Sequence, residues 1–298
     1  MKIGKLTGYW MSLVGILFCM TESKAENGLT FDTGRIMSAG IEMPYRVAHC
    51  SGAGKTALVI YLHGGSSKGN DNTTQMGEAG IDSIAGYLES RQMEALFVVP
   101  QCPSDKSWGG PMLGVLKALI DRYVREGSVD ASSLYIFGGS MGGTGTWSML
   151  SAYPGLFAAA MPVAGNPSKC DADNVSLTPV YTVMGTADRI MNVDTTSDFI
   201  NQLDARNGIT RFDIEEGWTH EMTCIESYTT PRLDWVFDQG GNDPSAIESP
   251  TAYNRTTSRM EYYATDGRRL PDAPAHGLYI QRCIHTDGSV TSQTLSRR

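Results

Sequence analysis

The sequence predicts an α/β fold, a doubly wound and mostly parallel sheet with helices on both faces, followed by a small C-terminal β module. Short continuous apolar runs that end in glycine, proline or polar residues are typical of strands covered on both faces. Segments with helical periodicity separate these runs along the chain. This alternation requires crossover connections and places ligands beyond the carboxyl ends of the strands. A change of composition after residue 239 predicts the separate module.

The first 25 residues are expected to lie outside the fold. Two lysines precede an apolar run over residues 10–20, and residues 23–25 supply the small side chains that a signal peptidase requires. The run is too short to span a bilayer as a stable helix. We therefore predict a secretory signal over residues 1–25, no membrane-spanning segment, and a mature chain that is secreted to the periplasm, the cell surface or the medium.

Residues 26–239 are expected to form the main domain. Residues 29–50, in which Gly34 and Gly40 interrupt alternating segments, predict an antiparallel hairpin that leads into the sheet. The apolar runs that predict the following strands lie at 56–65, 94–102, 133–140, 157–165 and 179–188. The stretches that predict helices lie at 78–93, 114–128, 195–209 and 225–239.

The C-terminal part of the chain differs from the main domain. Residues 240–258 are rich in glycine, proline, asparagine, serine and threonine and predict a linker. Residues 259–298 show alternating polarity and two Asp-Gly turn signals, at 266–267 and 287–288. This pattern predicts a small β-rich module.

Composition excludes several classes of function. The net charge of −8 without a basic block argues against nucleic acid as a partner. The histidines and cysteines show no clustered spacing, so neither a metal site nor a cofactor is predicted. Of the six cysteines, five follow residue 25, and disulfides are plausible for an exported protein.

One glycine-rich stretch carries the first chemical signal. In the pattern Gly138-x-Ser140-x-Gly142, a predicted strand precedes the serine and a predicted helix follows it. That context is typical of a nucleophile elbow, in which the chain reverses sharply and exposes the serine hydroxyl. The pattern predicts a strained backbone at Ser140 and a nucleophilic role. The alternative is a turn that binds a phosphate or only packs tightly.

A serine hydroxyl needs a base to accept its proton, and His220 is the predicted base. In elbow folds the acid and the histidine follow the serine along the chain, which excludes the two histidines before residue 140. Two others lie in the C-terminal module and are poorly placed. His220 remains, on a predicted loop before the last helix of the main domain. The alternative is a solvated loop histidine.

The predicted acid is Asp188, which follows a strand-like run at the edge where Ser140 and His220 also emerge. Its expected role is to accept the imidazole N–H and to stabilise the imidazolium. Asp194 is the competing candidate, and an aspartate that only forms a turn is the alternative for Asp188.

Attack on a carbonyl creates an oxyanion that needs preorganised donors. The N–H of Met141, directly after the nucleophile, is one predicted donor. The N–H of Gly65, in the loop after an earlier strand, is the other, and Gly64 permits close approach. His63 is expected to orient this loop.

These features resemble the α/β-hydrolase superfamily, in particular secreted esterases related to feruloyl and acetylxylan esterases, polyhydroxybutyrate-depolymerase-like enzymes and prolyl-oligopeptidase-like esterases. The resemblance covers about residues 30–239, through YLHGG, VVPQCPSDKSW, GGSMGGTGTW, GTADRI and GWTH. It implies a serine carboxylic-ester hydrolase with an open active site. The enzyme would form an acyl-enzyme and release feruloyl or acetyl groups from plant polysaccharide. By residue, it implies Ser140, Asp188 and His220 as catalytic residues, with Gly65 and Met141 as oxyanion donors.

Substrate contacts and a disulfide follow from the same framework. Trp108 and Trp218 are predicted to stack on a sugar or an aromatic acyl group, with core packing as the alternative. Gln101 is expected to hydrogen-bond the substrate beside Trp108. Cys170 and Cys224 are predicted to pair and to brace the loop that carries the histidine.

The C-terminal module resembles the sorting domains of type IX secretion cargo, which implies targeting to the cell surface.

Two other functions are compatible with the main domain: a serine peptidase of the prolyl-oligopeptidase-like type, and a non-catalytic carbohydrate-binding protein on a hydrolase scaffold. The intact set of Ser140, Asp188 and His220 argues against the second, since a binding protein needs no nucleophile. The expected partner is therefore a small-molecule or polysaccharide ester.

Overall fold

The computed structural model describes residues 23–24, 29–240, 257–264, 268–274, 277–285 and 290–297. The chain divides into two compact units, Met1–Asn242 and Asp243–Arg298. The predicted signal segment, the predicted linker and both Asp-Gly turn signals lie almost entirely outside the described residues, and those assignments stay predictions. Each helix that the structure describes is too short or too polar to span a lipid bilayer.

The first unit is built on a nine-stranded sheet of order β1-β2-β3-β5-β4-β6-β7-β8-β9. The neighbouring pairs β1-β2, β2-β3 and β3-β5 are antiparallel. All later pairs in this order, from β5-β4 to β8-β9, are parallel. The strands are β1 (Ser23–Lys24), β2 (Thr30–Ser38), β3 (Ile41–Cys50), β4 (Ala53–Leu62), β5 (Met93–Pro100), β6 (Leu134–Gly139), β7 (Ala159–Val163), β8 (Val180–Gly185) and β9 (Thr210–Glu215). The predicted fold class is confirmed.

The predicted lead-in hairpin is the pair β2 and β3. Ala39 and Gly40 join the two strands, with φ angles of 50° and 75°. Two successive residues with positive φ are typical of the tight turns whose twist matches that of the flanking strands.

Helices cover both faces of the sheet. They are α1 (Ala79–Ser90), α2 (Pro111–Arg125), α3 (Met141–Ala152), α4 (Ala172–Val175), α5 (Val193–Asp204), α6 (His220–Glu226) and α7 (Thr230–Phe237). On β4, Leu58 and Ile60 join a buried apolar cluster with α2, α3 and α5. Val59 and Tyr61 join a second cluster with α1 and α7. Because successive side chains of a strand point to opposite faces, the continuous apolar run of β4 supplies both cores.

The last predicted helix of the main domain, at residues 225–239, covers the end of α6 and all of α7. Pro231 lies in the first turn of α7, so residues 227–229 separate this helix from α6. His220 is the first residue of α6 rather than a loop residue, because the side chain of Thr219 caps the helix by accepting a hydrogen bond from the N–H of Met222.

The second unit is a small antiparallel sheet of order β11-β10-β12-β13. Its strands are β10 (Thr257–Ala264), β11 (Arg269–Leu270), β12 (Gly277–His285) and β13 (Val290–Arg297). The predicted β-rich character of this part of the chain is therefore present.

Candidate active site

Ser140 lies at the junction between β6 and α3, with φ 58° and ψ −117°. A positive φ is strained for a residue with a side chain, and such strain is characteristic of functional turns. The N–H of Ser140 donates to the carbonyl of Val163, 3.0 Å away, which ties the turn to the end of β7. The strained serine that the sequence predicts is therefore present.

The glycines around Ser140 make this turn sterically possible. A Cβ on Gly142 would lie 1.8 Å from the carbonyl oxygen of Leu62, and one on Gly138 would lie 2.6 Å from the backbone of Gly142. A Cβ on Gly143 would lie 2.3 Å from the carbonyl oxygen of Val163. Backbone contacts of this kind cannot relax as a flexible side chain can, so the turn requires glycine at these positions.

A continuous hydrogen-bonded chain joins Ser140, His220 and Asp188. The Nε2 of His220 lies 2.8 Å from the Oγ of Ser140, and its Nδ1 lies 2.8 Å from the Oδ2 of Asp188. A carboxylate can only accept, so Nδ1 carries the hydrogen and Nε2 is free to accept the serine proton. The side chain of Asp188 is fully buried, and that of His220 is 15% exposed.

The backbone around Asp188 holds its carboxylate in place. Oδ1 accepts hydrogen bonds from the N–H groups of Ile190 and Met191, each at 2.8 Å, and this leaves Oδ2 for the histidine. Asp194, the competing candidate, is exposed in the first turn of α5. The structure therefore brings Asp188, and not Asp194, to His220.

The two residues predicted to donate to an oxyanion lie beside the serine. Met141 is the first residue of α3, and the N–H groups of a first helical turn have no partner within the helix. Gly65 begins a 3-10 helix, Gly65–Ser67, and His63 and Gly64 connect this helix to the end of β4. A Cβ on Gly64 would lie 3.7 Å from the Cβ of Ser140, so this loop approaches the nucleophile closely.

His63 orients the loop, as the sequence predicts. Its Nε2 accepts a hydrogen bond from the N–H of Cys102 at 2.9 Å, so its Nδ1 carries the hydrogen and donates to the carbonyl of Gly64 at 2.7 Å. Burial lowers the pKa of His63 to about 4, which keeps the ring neutral. Because a trans peptide directs its C=O and N–H to opposite sides, fixing the Gly64 carbonyl also fixes the direction of the Gly65 N–H.

Two predicted substrate contacts are wrong. Trp108 is only 2% exposed, and its Nε1–H donates to the carbonyl of His63 at 3.0 Å. Gln101 is fully buried, where its Oε1 accepts from the N–H of Asn72 and its Nε2 donates to Asp71, both at 2.7 Å. Buried polar groups require partners, and both side chains find theirs within the protein rather than in the substrate.

Trp218 is partly buried and packs against the cluster that contains α1 and α7. The guanidinium carbon of Arg232 lies 5.8 Å from the centre of its ring. The predicted contact of Trp218 with substrate stays a prediction.

The predicted disulfide between Cys170 and Cys224 is also wrong, since both residues are free thiols. Cys170 packs against the apolar cluster on the face of α2, α3 and α5, whereas Cys224 packs against the cluster on the opposite face. The sheet therefore separates the two sulfur atoms. Burial raises the pKa of Cys170 to about 11 and that of Cys224 to about 12.

Glu78, which lies directly before α1, belongs to the site although the sequence predicts no role for it there. Its Oε1 accepts hydrogen bonds from the N–H of Gly64 at 3.0 Å and from the Oγ of Ser67 at 2.6 Å. An acidic residue before a predicted helix suggests a helix cap, but the side chain of Glu78 makes no capping hydrogen bond. No local sequence pattern predicts the hydrogen bonds that Glu78 makes with Gly64 and Ser67, which lie 14 and 11 residues earlier in the chain.

Exposed aliphatic side chains border the catalytic chain. Ile190 follows Asp188 by two residues and is 68% exposed, and Met222 and Ile225 on α6 are each 43% exposed. A groove of about 800 Å³ runs along α3, lined among others by Thr144, one helical turn after Ser140. Among the residues that the structure describes, no group of three or more histidine, cysteine or acidic side chains could hold a metal ion.

Known proteins resemble this chain in sequence. Residues 105–256, about half of the chain, match the dienelactone hydrolase family. A poly(3-hydroxyalkanoate) depolymerase C of Paucimonas lemoignei is 35% identical over 82 residues, which are 28% of this chain and 19% of that protein. The chain thus matches about a fifth of the length of this curated relative.

Solved structures share the fold. A thermostable esterase superposes with a TM-score of 0.65 at 27% identity, over 70% of this chain and 63% of the esterase, so slightly less than two thirds of that chain is covered. A puromycin-hydrolyzing peptidase of Mycobacterium tuberculosis superposes with a TM-score of 0.57 at 17% identity, over 72% of this chain and 40% of the peptidase. At that identity the second likeness concerns the fold alone.

Proposed function

Because the chain belongs to the dienelactone hydrolase family, we propose that it is a carboxylic-ester hydrolase in which Ser140 is the nucleophile. The observation that carries the proposal is the hydrogen-bonded chain from Asp188 through His220 to Ser140, with 2.8 Å at each link. Likeness to a thermostable esterase at 27% identity supports the same activity. A binding protein would have no use for a strained serine held against a histidine.

The proposed reaction proceeds through an acyl-enzyme. The Oγ of Ser140 attacks the ester carbonyl carbon while its proton passes to the Nε2 of His220, and Asp188 stabilises the imidazolium that forms. The N–H groups of Gly65 and Met141 hold the oxyanion. When the tetrahedral intermediate collapses, the C–O bond to the alcohol breaks and His220 returns the proton to the leaving oxygen. A water molecule then repeats these steps and releases the acid.

The proposed substrates are acetyl or feruloyl esters of plant polysaccharide, and the support for them is the resemblance of the sequence motifs. Burial of Trp108 and Gln101 removes two of the three side chains expected to contact an aromatic acyl group or a sugar. Trp218 is the one that keeps this role in the proposal. We therefore place acetyl esters ahead of feruloyl esters.

Release of p-nitrophenol from p-nitrophenyl acetate tests the activity. The wild-type protein should give a burst equal to the enzyme concentration, the Ser140→Ala variant should lose it, and the Ser66→Ala variant should retain it, since Ser66 is the exposed serine of the adjacent loop. An enzyme that turns over no ester at all would refute the proposal. Specificity constants for acetyl, butyryl and feruloyl esters, including acetylated and feruloylated xylan fragments, then rank the acyl groups.

Export and surface sorting are also part of the proposal. The support for them is the pattern of residues 1–25 and the resemblance of residues 259–298 to sorting domains. Mass spectrometry of the protein from its native cells should find an N-terminus near Glu26. A protein that retains Met1 and remains inside the cell would contradict this part.

A further inference from the structure

The carboxylate of Glu78 contacts the loop on both sides of the proposed oxyanion donor Gly65. One oxygen, Oε1, accepts from the N–H of Gly64 and from the hydroxyl of Ser67, at 3.0 Å and 2.6 Å. Its other oxygen, Oε2, lies 3.5 Å from the hydroxyl of Tyr61 at the end of β4. The side chain thus bridges the strand end and the 3-10 helix that begins at Gly65.

Gly64 needs such a partner because its backbone has no intrinsic preference for one conformation. Glycine populates positive and negative φ with similar ease, so only external contacts hold it in one geometry. His63 fixes the carbonyl of Gly64 and Glu78 fixes its N–H. Together they set both peptide planes on either side of Gly64, and with them the direction of the Gly65 N–H.

We propose that Glu78 is a positioning residue for catalysis: it holds the Gly64–Ser67 turn so that the N–H of Gly65 points at the oxyanion of the tetrahedral intermediate. This inference rests on the proposed esterase activity. Glu78 does not touch the reacting atoms in this mechanism. It acts through the backbone of Gly64.

The contacts favour this role over that of a helix cap. Glu78 precedes α1, but its carboxylate makes no hydrogen bond to the first turn of that helix. Its partners lie 14 and 11 residues earlier in the chain, in the loop beside Ser140. Ser67 is 7% exposed, so its hydroxyl would lack a partner without Glu78.

The role depends on an acceptor oxygen rather than on negative charge. A carboxylate close to the nucleophile opposes the charge that develops on an oxyanion, so its value lies in accepting two hydrogen bonds at one point. A glutamine carbonyl oxygen has two lone pairs and can accept the same two bonds. Glu78→Gln should therefore preserve the geometry that Glu78→Ala removes.

The experiment compares these two variants with wild type and with Glu89→Ala, a matched control because Glu89 is exposed at the far end of the same helix. We measure kcat and KM for p-nitrophenyl acetate, the inhibition constant of phenylboronic acid, and thermal unfolding. Phenylboronic acid forms a tetrahedral adduct with a nucleophilic serine, so its affinity falls when the donors to the tetrahedral oxygens are displaced.

For Glu78→Ala we expect kcat to fall about 10- to 100-fold with little change in KM, somewhat less than the ~10²–10³-fold cost of deleting an oxyanion donor. Affinity for phenylboronic acid should fall by a similar factor. Glu78→Gln should stay within about threefold of wild type, since a hydrogen bond to a neutral acceptor is only moderately weaker, and Glu89→Ala should match wild type.

Three results would overturn the inference. One is unchanged kcat in Glu78→Ala. Another is equal loss in the alanine and glutamine variants, which would assign the effect to charge. The third is a loss of kcat without any loss of boronic acid affinity. If Glu78→Ala does not fold, Ser67→Ala removes one of the two hydrogen bonds to the carboxylate, and its kcat should fall at least about threefold; unchanged kcat there counts against the role.

Failure of the inference is distinguishable from failure of the proposed function. A wild-type protein without a burst of p-nitrophenol would refute the esterase mechanism. A wild-type burst that disappears in Ser140→Ala, together with an unchanged kcat in Glu78→Ala, would leave the esterase intact and refute only the role of Glu78.

Discussion

The elbow at Ser140 and the loop of residues 101–108 both pack on the end of β4, but different forces hold them. The elbow is held by backbone against backbone, with Gly142 pressed on the carbonyl of Leu62. The loop is held by polar contacts: the N–H of Cys102 donates to the ring of His63, and the indole of Trp108 donates to its carbonyl. Steric contacts between backbone atoms therefore fix the elbow, whereas the loop supports His63 through hydrogen bonds.

This difference explains why the two regions tolerate change differently. The elbow requires glycine at positions 138, 142 and 143, because a Cβ at any of these three would clash with backbone atoms. A support made of hydrogen bonds and ring contacts loses stability in steps as partners are removed, and two of its residues, Cys102 and Trp108, contact His63 beside the catalytic site. Substitutions in each region should therefore have distinct effects on turnover and on unfolding.

The largest expected effect is that of Asp188→Asn on turnover. An amide in place of the carboxylate favours the wrong histidine tautomer, so kcat should fall about 10³- to 10⁴-fold while KM changes little. Ester hydrolysis at saturating substrate measures the loss. Asp194→Asn is the control and should remain within about twofold of wild type, since Asp194 is exposed on α5. Equal losses in both variants would contradict the assignment of Asp188.

Gly142→Ala should cause the next largest effect, on folding rather than on chemistry alone. The added Cβ would lie 1.8 Å from the carbonyl oxygen of Leu62, and overpacking against backbone should lower the free energy of unfolding by about 3 kcal/mol. Urea unfolding measures it. Gly114→Ala, at an exposed helical position with no atom within 4 Å of the new Cβ, should instead stabilise the protein by about 1 kcal/mol. A neutral Gly142→Ala would refute the steric account of the elbow.

The support behind the turn should show in the pH dependence of stability. The folded pKa of His63 is about 4, below its ordinary value of 6.5, because burial disfavours the charged ring. Below pH 6.5 the unfolded chain binds a proton that the folded chain does not, so stability is present above pH 6.5 and is lost as pH falls towards 4. Between pH 7 and 4.5 this loss should be about 2 to 3 kcal/mol.

Comparison with His63→Asn isolates this contribution, since all other titrating groups are shared. The variant should be less stable at pH 7 but should lose less stability on acidification, as measured by urea unfolding at both pH values. Parallel losses in the two proteins would show that His63 is not the group responsible.

Trp108→Phe should have a smaller effect, confined to stability. The variant loses the hydrogen bond to the carbonyl of His63, which should cost about 1 to 2 kcal/mol of unfolding free energy. The KM for p-nitrophenyl acetate should stay within about twofold, because the ring is buried. A several-fold rise in KM at unchanged stability would place Trp108 in contact with substrate and break the comparison between the two regions.

The smallest expected effect is that of a reducing agent. Cys170 and Cys224 are free thiols on opposite faces of the sheet, so dithiothreitol should leave the Tm unchanged. Alkylation of the unfolded, unreduced protein should modify both residues. A peptide that contains both cysteines joined by a disulfide would contradict the structure.

Much of the active site was predictable because the relevant constraints are local. Ser140 follows a strand and precedes a helix, and the chain order of acid and base narrowed the histidines to His220. The parallel sheet then brings such strand ends to one edge. The roles of Trp108, Gln101 and Glu78 were not predicted, because the partners that direct their side chains are distant in sequence: Asn72 and Gln101, for example, are 29 positions apart.

The sequence by itself determined the alternation of strands and helices and the glycine turn at Ser140, since periodicity and backbone sterics act over a few residues. Chain order also made Asp188 and His220 the candidate acid and base. Only the tertiary structure decided which side chains face the substrate and which face the core. Burial forces every polar group to find a partner, and that partner depends on which segments the sheet brings together. Tertiary structure also places Cys170 and Cys224 on opposite faces of the sheet. The positions of the two residues along the chain do not show which face each one occupies.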